Sequence, residues 1–296
     1  MKLYKTTIKP KSSFGSKLKG DTLFGQICWM IRFAKGEGRL NELLETYKKN
    51  NPFLVVSDAF AKGYLPKPKM PSNYLNEDDN KKENRKKIWL LLKDMEEGNF
   101  HRAKRDDEVC KINDKEVIVV RNSINYLKMT TDSDNFAPYG VEEYYLNEKD
   151  IYCLLDEEQF GLEEIREVFE LLSNVGYGKD TTIGKGRFEF GDFEEVELKR
   201  GTFTYMTLSP FVLEGNQNIE LLFYEPFVRF GKFGFDRAHK NAFKNPILMM
   251  NSASVVVFKE KPTKYFLGQA ITNISKAHPD AVHQGYSILL PIKDIK

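Results

Sequence analysis

Glycine and basic residues are concentrated in one segment, GYGKDTTIGKGRFEF at residues 176–190, whose first twelve residues hold four glycines, two lysines and an arginine. Glycine allows backbone N–H groups to approach phosphate oxygens because no side chain blocks the way. The lysines and the arginine would add positive charge. The segment therefore predicts a phosphate-binding loop, with these contact residues: Gly178, Lys179, Gly184, Lys185, Gly186 and Arg187.

The spacing of this loop does not fit a mononucleotide site. Gly178 and Gly184 are one residue further apart than the two glycines of a P-loop, and Gly186 stands where a metal-binding hydroxyl is needed. Apolar residues at helical spacing precede the loop, and an alternating, strand-like run follows it. Nucleotide loops have the opposite order, strand then helix. The backbone of a longer nucleic acid is the ligand that this composition favours.

A second basic region lies at the N-terminus, where six lysines occur before the first acidic residue, Asp21. Alternation over KLYKTTIKP predicts a strand, and GDTLFGQICWMIRFAKGEG predicts a helix with Asp21 as its N-cap and Gly36 at its end. Hydroxyls, lysines and a helix N-terminus together predict a phosphate or base site. Its residues would be Lys9, Lys11, Ser12, Ser13 and Lys19. A lysine-rich strand edge that discourages aggregation is an equal alternative.

Two further groups of residues could contact bases or sugars. Arg121 and Asn122 stand at a predicted strand start, with Tyr126 and Phe136 nearby as candidate stacking residues, although core packing suits either aromatic equally well. The late motif AVHQGY is as easily a turn before a strand as a site. As a site, it would use His283 and Gln284.

Catalytic chemistry has weaker support in this sequence. Metal-free RNA cleavage needs a general base and a general acid, commonly histidines, and the chain has four histidines. His101 lies among basic residues in NFHRAKRDDE, but no second histidine or tyrosine is placed with it. The acidic runs NEDDN and RDDE fit solvated surface better than a metal site. We therefore expect no catalytic residue, metal or cofactor, with a metal-independent endoribonuclease as the alternative.

Composition indicates an ordinary globular chain. Its 296 residues are 41% hydrophobic and 30% charged, and the net charge is +2. No apolar run reaches the length of a membrane span, and no signal peptide is recognised. Three separated cysteines fit a reducing compartment. A cytoplasmic protein without membrane contact is expected.

The predicted elements indicate an α+β fold. The first part reads strand, helix, strands, helix, strand, which is the ferredoxin-like, RRM-like order with insertions. Within it we expect a helix over residues 88–95, a small hairpin turning at Asn113 and Asp114, and a hairpin over 121–156 turning at residues 129–138. From residue 201 onward strands predominate. We therefore predict domains at 1–200 and 201–296, the second a possible degenerate copy of the first.

Five segments, taken in order, carry a resemblance to a known family. They are KLKGDTLFGQICW, GYLPKPKMP, RNSINYLKMTT, the glycine-rich segment and AVHQGYSILLP. Together they resemble the RAMP superfamily of CRISPR-associated proteins, and within it the fourth-subunit family of type III-A (Csm) interference complexes. The GDTLFG and glycine-rich segments are typical of RAMP proteins generally, whereas GYLPKPK and HQGY point to the fourth subunit.

This resemblance implies two RRM-like RAMP domains and a non-catalytic role. A fourth-subunit protein would cap the 5′ repeat-derived tag of crRNA between the large polymerase-like subunit and the RNA-coating backbone subunits. Such proteins contribute a β-hairpin thumb that bends the RNA, and residues 129–138 are the candidate here. A stand-alone RRM-like RNA-binding protein outside any CRISPR system is a third alternative, less favoured because the C-terminal motifs would then be coincidental.

Overall fold

A computed structural model describes residues 1–110, 114–131, 137–198, 201–215, 218–239 and 241–295. Within these ranges the strands are β1 (Lys2–Pro10), β2 (Leu54–Ala61), β3 (Leu65–Pro66), β4 (Lys87–Leu90), β5 (Lys104–Arg105), β6 (Lys115–Arg121), β7 (Tyr139–Tyr145), β8 (Lys149–Leu155), β9 (Phe188–Phe190), β10 (Glu194–Glu195), β11 (Thr204–Thr207), β12 (Ile219–Phe223), β13 (Pro226–Arg229), β14 (Ile247–Met250), β15 (Val255–Phe258), β16 (Phe266–Ile271) and β17 (His283–Pro291). The helices are α1 (Gly20–Lys48), α2 (Ser72–Leu75), α3 (Lys81–Asn84), α4 (Leu92–Glu97), α5 (Asp106–Val109) and α6 (Leu162–Val175). The α+β class expected from the sequence is confirmed.

The first sheet is antiparallel and has the order β10-β1-β8-β2, with β9 also beside β1. If β1, β2, β8 and the β9–β10 pair are numbered 1 to 4 along the chain, their order across the sheet is 4-1-3-2. Helix α1 packs on β2 and on α6, while α6 packs on β9. Because α6 ends immediately before the glycine-rich loop and β9 follows it, the helix-loop-strand order read from the sequence is correct.

Helix α1 is interrupted where a glycine was expected to end it. Gly36 has φ 86° and ψ 167°, which is not helical, and helical residues resume after it. Only glycine adopts such a conformation without steric strain. Asp21 is not the N-cap that the sequence predicted, because the helix begins at Gly20, Lys19 holds the cap position, and the Lys19 side chain makes no capping hydrogen bond.

The second sheet, also antiparallel, has the order β12-β15-β11-β17-β16. If β11, β12, β15 and β17 are numbered 1 to 4 along the chain, their order across this sheet is also 4-1-3-2. In the described residues from 201 onward, helical structure is limited to a short 3₁₀ turn at Phe235–Arg237. The β-rich character predicted for this half is therefore observed.

The two sheets share one hydrophobic core. Buried side chains from both halves form a single cluster, and α1 contacts both β2 and β17. Tyr286 of β17 packs its ring edge-on against Tyr47 of α1, with 4.9 Å between ring centroids, and its hydroxyl donates to the Tyr47 carbonyl at 2.9 Å. The division at residue 200 remains a prediction, since buried contacts run across it.

The segment between β2 and β8 differs most from the sequence-based prediction. Residues 88–95 are divided between strand β4 and helix α4, so the single helix expected there is wrong. The small hairpin expected around Asn113 and Asp114 is also wrong, because its first strand is replaced by α5 at Asp106–Val109 and β6 pairs instead with β7. Asn113 itself lies outside the described residues. The hairpin predicted over 121–156 therefore begins earlier, at Lys115.

No helix among the described residues has both the length and the apolar character that crossing a bilayer requires.

Candidate nucleic-acid interface

The glycine-rich loop packs directly on the segment that follows β1. The backbone N–H of Lys11 donates to the carbonyl of Arg187, and that of Gly186 donates to the carbonyl of Ser13, both at 2.8 Å. Two of the segments that the sequence singled out, about 170 residues apart in the chain, therefore lie side by side. The structure brings them together as a continuation of the β1–β9 pairing.

The glycines in this loop are required for close packing. A Cβ on Gly186, where φ is +73°, would lie 2.0 Å from the carbonyl oxygen of Tyr177. A Cβ on Gly178 would lie 3.0 Å from the side chain of Ser16. Gly184 differs, since a Cβ there would meet open space. The loop is thus a tightly folded element in which glycine lets backbone meet backbone.

The backbone N–H groups of the loop are already bonded within the protein. Lys179 donates to the Ser16 hydroxyl at 3.2 Å and Arg187 donates to the Ser12 hydroxyl at 3.0 Å. Internal carbonyls accept from the N–H groups of three others, Gly184, Lys185 and Gly186. These five amide donors are thus occupied within the protein, and phosphate binding by the loop stays a prediction that depends on its exposed basic side chains.

Glu143 on β7, a residue that the sequence reasoning missed, is the centre of a buried charge network. Lys185 is buried and forms an ion pair with it, and Arg121 donates to it at 3.0 Å. Arg121 also binds Asp180 of the glycine-rich loop at 3.0 Å, while Ser13 donates to Glu143 at 2.9 Å. The bond from Lys185, aided by the other donors, holds the pKa of Glu143 at about 2.

This network changes the role of two predicted contact residues. Lys185 and Arg121 were expected to face RNA, but both are engaged with carboxylates of the chain. Removing the Lys185 ammonium from the buried Glu143 carboxylate in order to bind a phosphate would take away its nearest cation, which is costly. Arg121 instead ties the turn end of the β6–β7 hairpin to the glycine-rich loop. Asn122, the next residue, is exposed.

Three basic side chains share one face of the β1–β9 edge. Lys9 stands opposite Glu189, Lys11 is beside Arg187, and positions two residues apart on a strand point to the same side. Lys11 binds Glu189 at 2.6 Å. Among the described residues, no carboxylate lies within ion-pair distance of Lys9, Arg187 or the exposed Lys179. We call Lys9, Lys11 and Arg187, together with Lys179 of the glycine-rich loop, the basic edge.

The start of α1 is occupied by a side chain of the protein. Asp58 accepts from the Gly20 N–H at 2.8 Å, from Lys19 Nζ at 2.7 Å and from the Ser252 hydroxyl at 2.6 Å. A carboxylate therefore already fills the place that the sequence assigned to a phosphate, and Lys19 is paired with it, so its role as a phosphate ligand stays a prediction. Ser13 is engaged in the same way, because its hydroxyl donates to the Glu143 carboxylate.

Asp21 lies beside this point and forms a second buried cluster. Its carboxylate makes a two-point contact with Arg229, at 2.6 and 3.0 Å, and lies 3.1 Å from Nε2 of His283. Burial opposes ionisation, but the bonds and charges of His283 and Arg229 hold the pKa of Asp21 at about 2. Burial also lowers the pKa of His283.

His283 and Gln284 have structural partners within the protein, and their contact with RNA stays a prediction. Both side chains are buried. Gln284 accepts from the Val56 N–H at 3.0 Å and donates to the Val56 carbonyl at 2.8 Å. The Gln284 amide thus joins the two sheets, and the His283 ring joins β17 to Asp21 of α1.

The β6–β7 hairpin carries an exposed apolar surface. Ile118 and Val120 on its outer side are each about 70% exposed, and Leu127 beyond its end is 97% exposed. Tyr126, a predicted stacking residue, is 85% exposed. Residues 132–136, which are half of the turn predicted as the thumb and include Phe136, lie outside the described residues. The hairpin itself, which the sequence placed slightly too late, is observed.

His101 borders a cavity of about 350 Å³. Of the residues around that cavity, His101 is the sole histidine, and none is a tyrosine. Glu77, on the same wall, is bound to Lys67 at 2.7 Å. Within the described part of the chain, no group of three metal-ligating side chains is placed to hold an ion.

This chain resembles solved structures, whereas comparison of its sequence with known families and curated proteins finds no match. No protein-family model matches the sequence, and no curated protein matches it significantly. Among solved structures, the chain is similar to a chain of the Csm1-Csm4 cassette in complex with AMPPNP, at 20% identity and a TM-score of 0.64, with 99% of each chain covered. The same cassette in complex with cA4 gives 18% identity and a TM-score of 0.63, again covering 99% of each chain.

A third structure indicates which of the two proteins named in those cassettes this chain resembles. The Csm3-Csm4 subcomplex in the type III-A CRISPR-Cas interference complex matches at 17% identity and a TM-score of 0.62, covering 98% of this chain and 100% of that chain. Csm4 is the protein common to these complexes. The resemblance read from the sequence is thus confirmed at the level of the fold, and over nearly its whole length this chain has a Csm4-like fold.

Proposed function

We propose that this chain is the Csm4-type subunit of a type III-A CRISPR interference complex, acting in the cytoplasm as a non-catalytic RNA-binding protein. It binds and caps the 5′ repeat-derived tag of crRNA. It also bridges the large polymerase-like subunit, Csm1, to the backbone RAMP subunit, Csm3. The observation that carries the proposal is the full-length similarity to chains of both Csm1-Csm4 and Csm3-Csm4 assemblies.

The basic edge is the surface that we assign to the RNA backbone. It presents three basic side chains without carboxylate partners among the described residues, together with Lys11. Lysine and arginine contacts to phosphates supply affinity without reading sequence, and that suits a protein that holds guide RNAs of differing spacer. Asn122, exposed beside the same loop, is in position to contact a base or a sugar.

The β6–β7 hairpin is the element that we assign to the RNA-bending thumb. Arg121, in the last strand pair before the turn, binds Asp180 of the loop next to the basic edge, so the turn end of the hairpin lies beside the proposed RNA path. Lys17 holds the other end of the hairpin through an ion pair with Glu116 at 3.2 Å. Its exposed apolar and aromatic side chains, Tyr126 above all, suit insertion between unstacked bases.

We further propose that both halves are ferredoxin-like RAMP units, spanning residues 1–200 and 201–296. The matching 4-1-3-2 strand positions in the two sheets support this proposal. In the second unit the helices of the first are missing from the described residues, and α1 contacts strand β17 of the second sheet. One core shared by both units would hold them in a fixed orientation for RNA and partners.

Co-expression with the Csm1 and Csm3 subunits of the same system and a CRISPR array tests the proposal. The expected result is stoichiometric co-purification with both subunits and with crRNA whose 5′ tag resists nuclease. The double variant Lys179→Glu and Arg187→Glu should assemble less crRNA. Lys93→Glu, which reverses a charge on the exposed side of α4, is the matched control and should not. Failure to co-purify with either subunit would refute the bridging role.

The endoribonuclease alternative is tested with the purified chain. A labelled CRISPR-repeat RNA is incubated with it in EDTA, and both retention and cleavage are measured. Binding without cleavage is expected because His101 has neither a second histidine nor a tyrosine on its cavity wall. Discrete cleavage that disappears in His101→Ala would instead make this protein a processing nuclease.

A further inference from the structure

A second candidate surface lies in the C-terminal half, on the hairpin formed by β13 and β14. Its two strands pair from Pro226 opposite Met250 to Arg229 opposite Ile247. The pairing resumes nearer the tip, where Lys232 stands opposite Phe243. The backbone N–H of Phe233 donates to Ala242, and that of Lys244 donates to Gly231. We call residues 226–233 and 242–250 the ribbon.

The inner face of the ribbon is fixed to the body of the protein. Arg229 binds buried Asp21, and Phe233 is buried against Ile274 and Ala281. The turn at its tip is also anchored, with Asp236 bound to Arg32 at 2.8 Å. A rigidly held ribbon presents its outer side chains without a large loss of conformational entropy on binding.

The outer face of the ribbon is exposed. Val228, Phe230 and Lys232 alternate outward along one strand, while Leu248 and Phe243 stand opposite on the other. Phe230 and Phe243 are each 76% exposed. Lone exposed apolar residues are ordinary, but two aromatic rings placed next to a lysine on one small face are not.

The charge of the ribbon and its tip is positive. Among the described residues between 226 and 250 there are four basic side chains and one carboxylate, Asp236. Asp236 is paired outside the ribbon, and so is Glu225 immediately before it, which binds Lys69. Lys232 has no carboxylate within ion-pair distance in the described chain, and its Nζ lies 5.4 Å from the centre of the Phe243 ring.

We propose that the outer face of the ribbon is a stacking platform for single-stranded RNA. Phe230 and Phe243 each receive an unpaired base, and Lys232 binds the phosphate between them. Two rings at neighbouring positions of a two-stranded sheet, with a cation between them, fit successive splayed bases. Val228 and Leu248 lie further along the same face and are not part of the platform. This inference rests on the proposed function only for the class of ligand, RNA, because the platform and the basic edge consist of different residues.

Fluorescence anisotropy of the full-length chain with labelled oligouridine at low salt tests the platform. Phe230→Leu and Phe243→Leu keep an apolar side chain but remove the aromatic face. Each should raise Kd at least about five-fold, because base–aromatic stacking contributes that much or more. The matched controls Val228→Ala and Leu248→Ala remove apolar area from the same face and should leave Kd unchanged. Thermal unfolding of each variant verifies that it is folded.

Two further readouts identify the ligand. Ultraviolet cross-linking to the same RNA should label peptides that contain Phe230 or Phe243. Duplex RNA should compete poorly because its bases are not available for stacking. Unchanged affinity in both leucine variants overturns the platform. If Lys179→Glu with Arg187→Glu weakens binding in that experiment, the proposed function stands without the platform.

Two other outcomes would also reject the platform. One is a chain that does not bind single-stranded RNA even at low salt. The other is loss of Csm1 or Csm3 co-purification in the valine and leucine variants together with unaltered RNA affinity in the phenylalanine variants. This second result would make the ribbon a protein interface.

Discussion

The side-chain amide of Gln284 makes with Val56 the two hydrogen bonds that a neighbouring strand would make. Its oxygen accepts from the Val56 N–H at 3.0 Å, and its nitrogen donates to the Val56 carbonyl at 2.8 Å. Strand β17 of the second sheet thereby satisfies a backbone group of β2 in the first. A buried backbone N–H or carbonyl without a partner would be costly, so this one side chain has a structural role.

Replacing Gln284 with alanine should destabilise the protein by about 2–4 kcal/mol, since both polar groups of Val56 would be left unsatisfied. Urea unfolding followed by circular dichroism measures this change. Gln269→Ala is the control, because it removes one partly exposed bond to the Leu213 carbonyl and should cost about 1 kcal/mol or less. Equal effects of the two substitutions would show that the Gln284 bridge has no special weight.

Asp21→Asn should cost about 3 kcal/mol of unfolding free energy, because it removes one partner of a buried ion pair and leaves Arg229 uncompensated. Asp192→Asn is the comparison, since its bond to Arg166 is largely exposed and is expected to contribute less than about 1 kcal/mol. Both variants can be followed by thermal and urea unfolding. A loss for Asp21→Asn as small as that for Asp192→Asn would contradict the buried-pair assignment.

The stability of the protein should fall in acid over a defined range. The pKa of Asp21 is about 2 in the fold and 3.8 for an ordinary aspartate, so its contribution is complete above about pH 4 and is lost as pH falls towards 2. Glu143 behaves in the same direction. For Asp21 the loss is about 2 kcal/mol. Unfolding free energies of the wild type and Asp21→Asn should therefore converge as pH is lowered; parallel curves would contradict this.

Alanine substitution should lower stability at Lys185 and RNA affinity at Arg187. Lys185→Ala leaves Glu143 without its closest cation and should lower stability by about 3 kcal/mol. Arg187→Ala changes an exposed side chain and should leave stability nearly unchanged while weakening RNA binding and its dependence on salt. Paired melting and RNA-titration measurements separate the two roles. Weakened RNA binding by folded Lys185→Ala alone would restore the original assignment of Lys185.

Two glycines allow a test of the packing role of the loop. Gly186→Ala should be strongly destabilising, since its Cβ would meet the Tyr177 carbonyl at 2.0 Å and φ is +73°. Gly25→Ala, in α1 where a Cβ meets open space, should stabilise by about 0.5–1 kcal/mol because alanine is the better helix former. Expression level and melting temperature report both effects. A tolerated Gly186→Ala would show that the loop relaxes easily.

Local features of this protein were predictable from the sequence because they depend on near neighbours. The break of α1 at Gly36, the order helix, loop, strand around the glycine-rich segment and the β-rich second half all follow from side-chain periodicity or from glycine conformation. The failures concern pairing. Nothing between residues 106 and 121 indicates that β6 pairs with β7 across a long connection, since strand partners are chosen by contacts distant in sequence.

The roles of individual charged residues were decided by the tertiary structure. By itself, the sequence determined which segments carry basic residues, and it placed Lys9, Lys179 and Arg187 in the same interface as Lys185. It contained no sign that Glu143 would bury the Lys185 ammonium or that Asp58 would occupy the start of α1. Whether a charge faces RNA or another side chain depends on burial and on partners that only folding brings close. That division is the physical reason why the sequence identified the fold more reliably than the contacts.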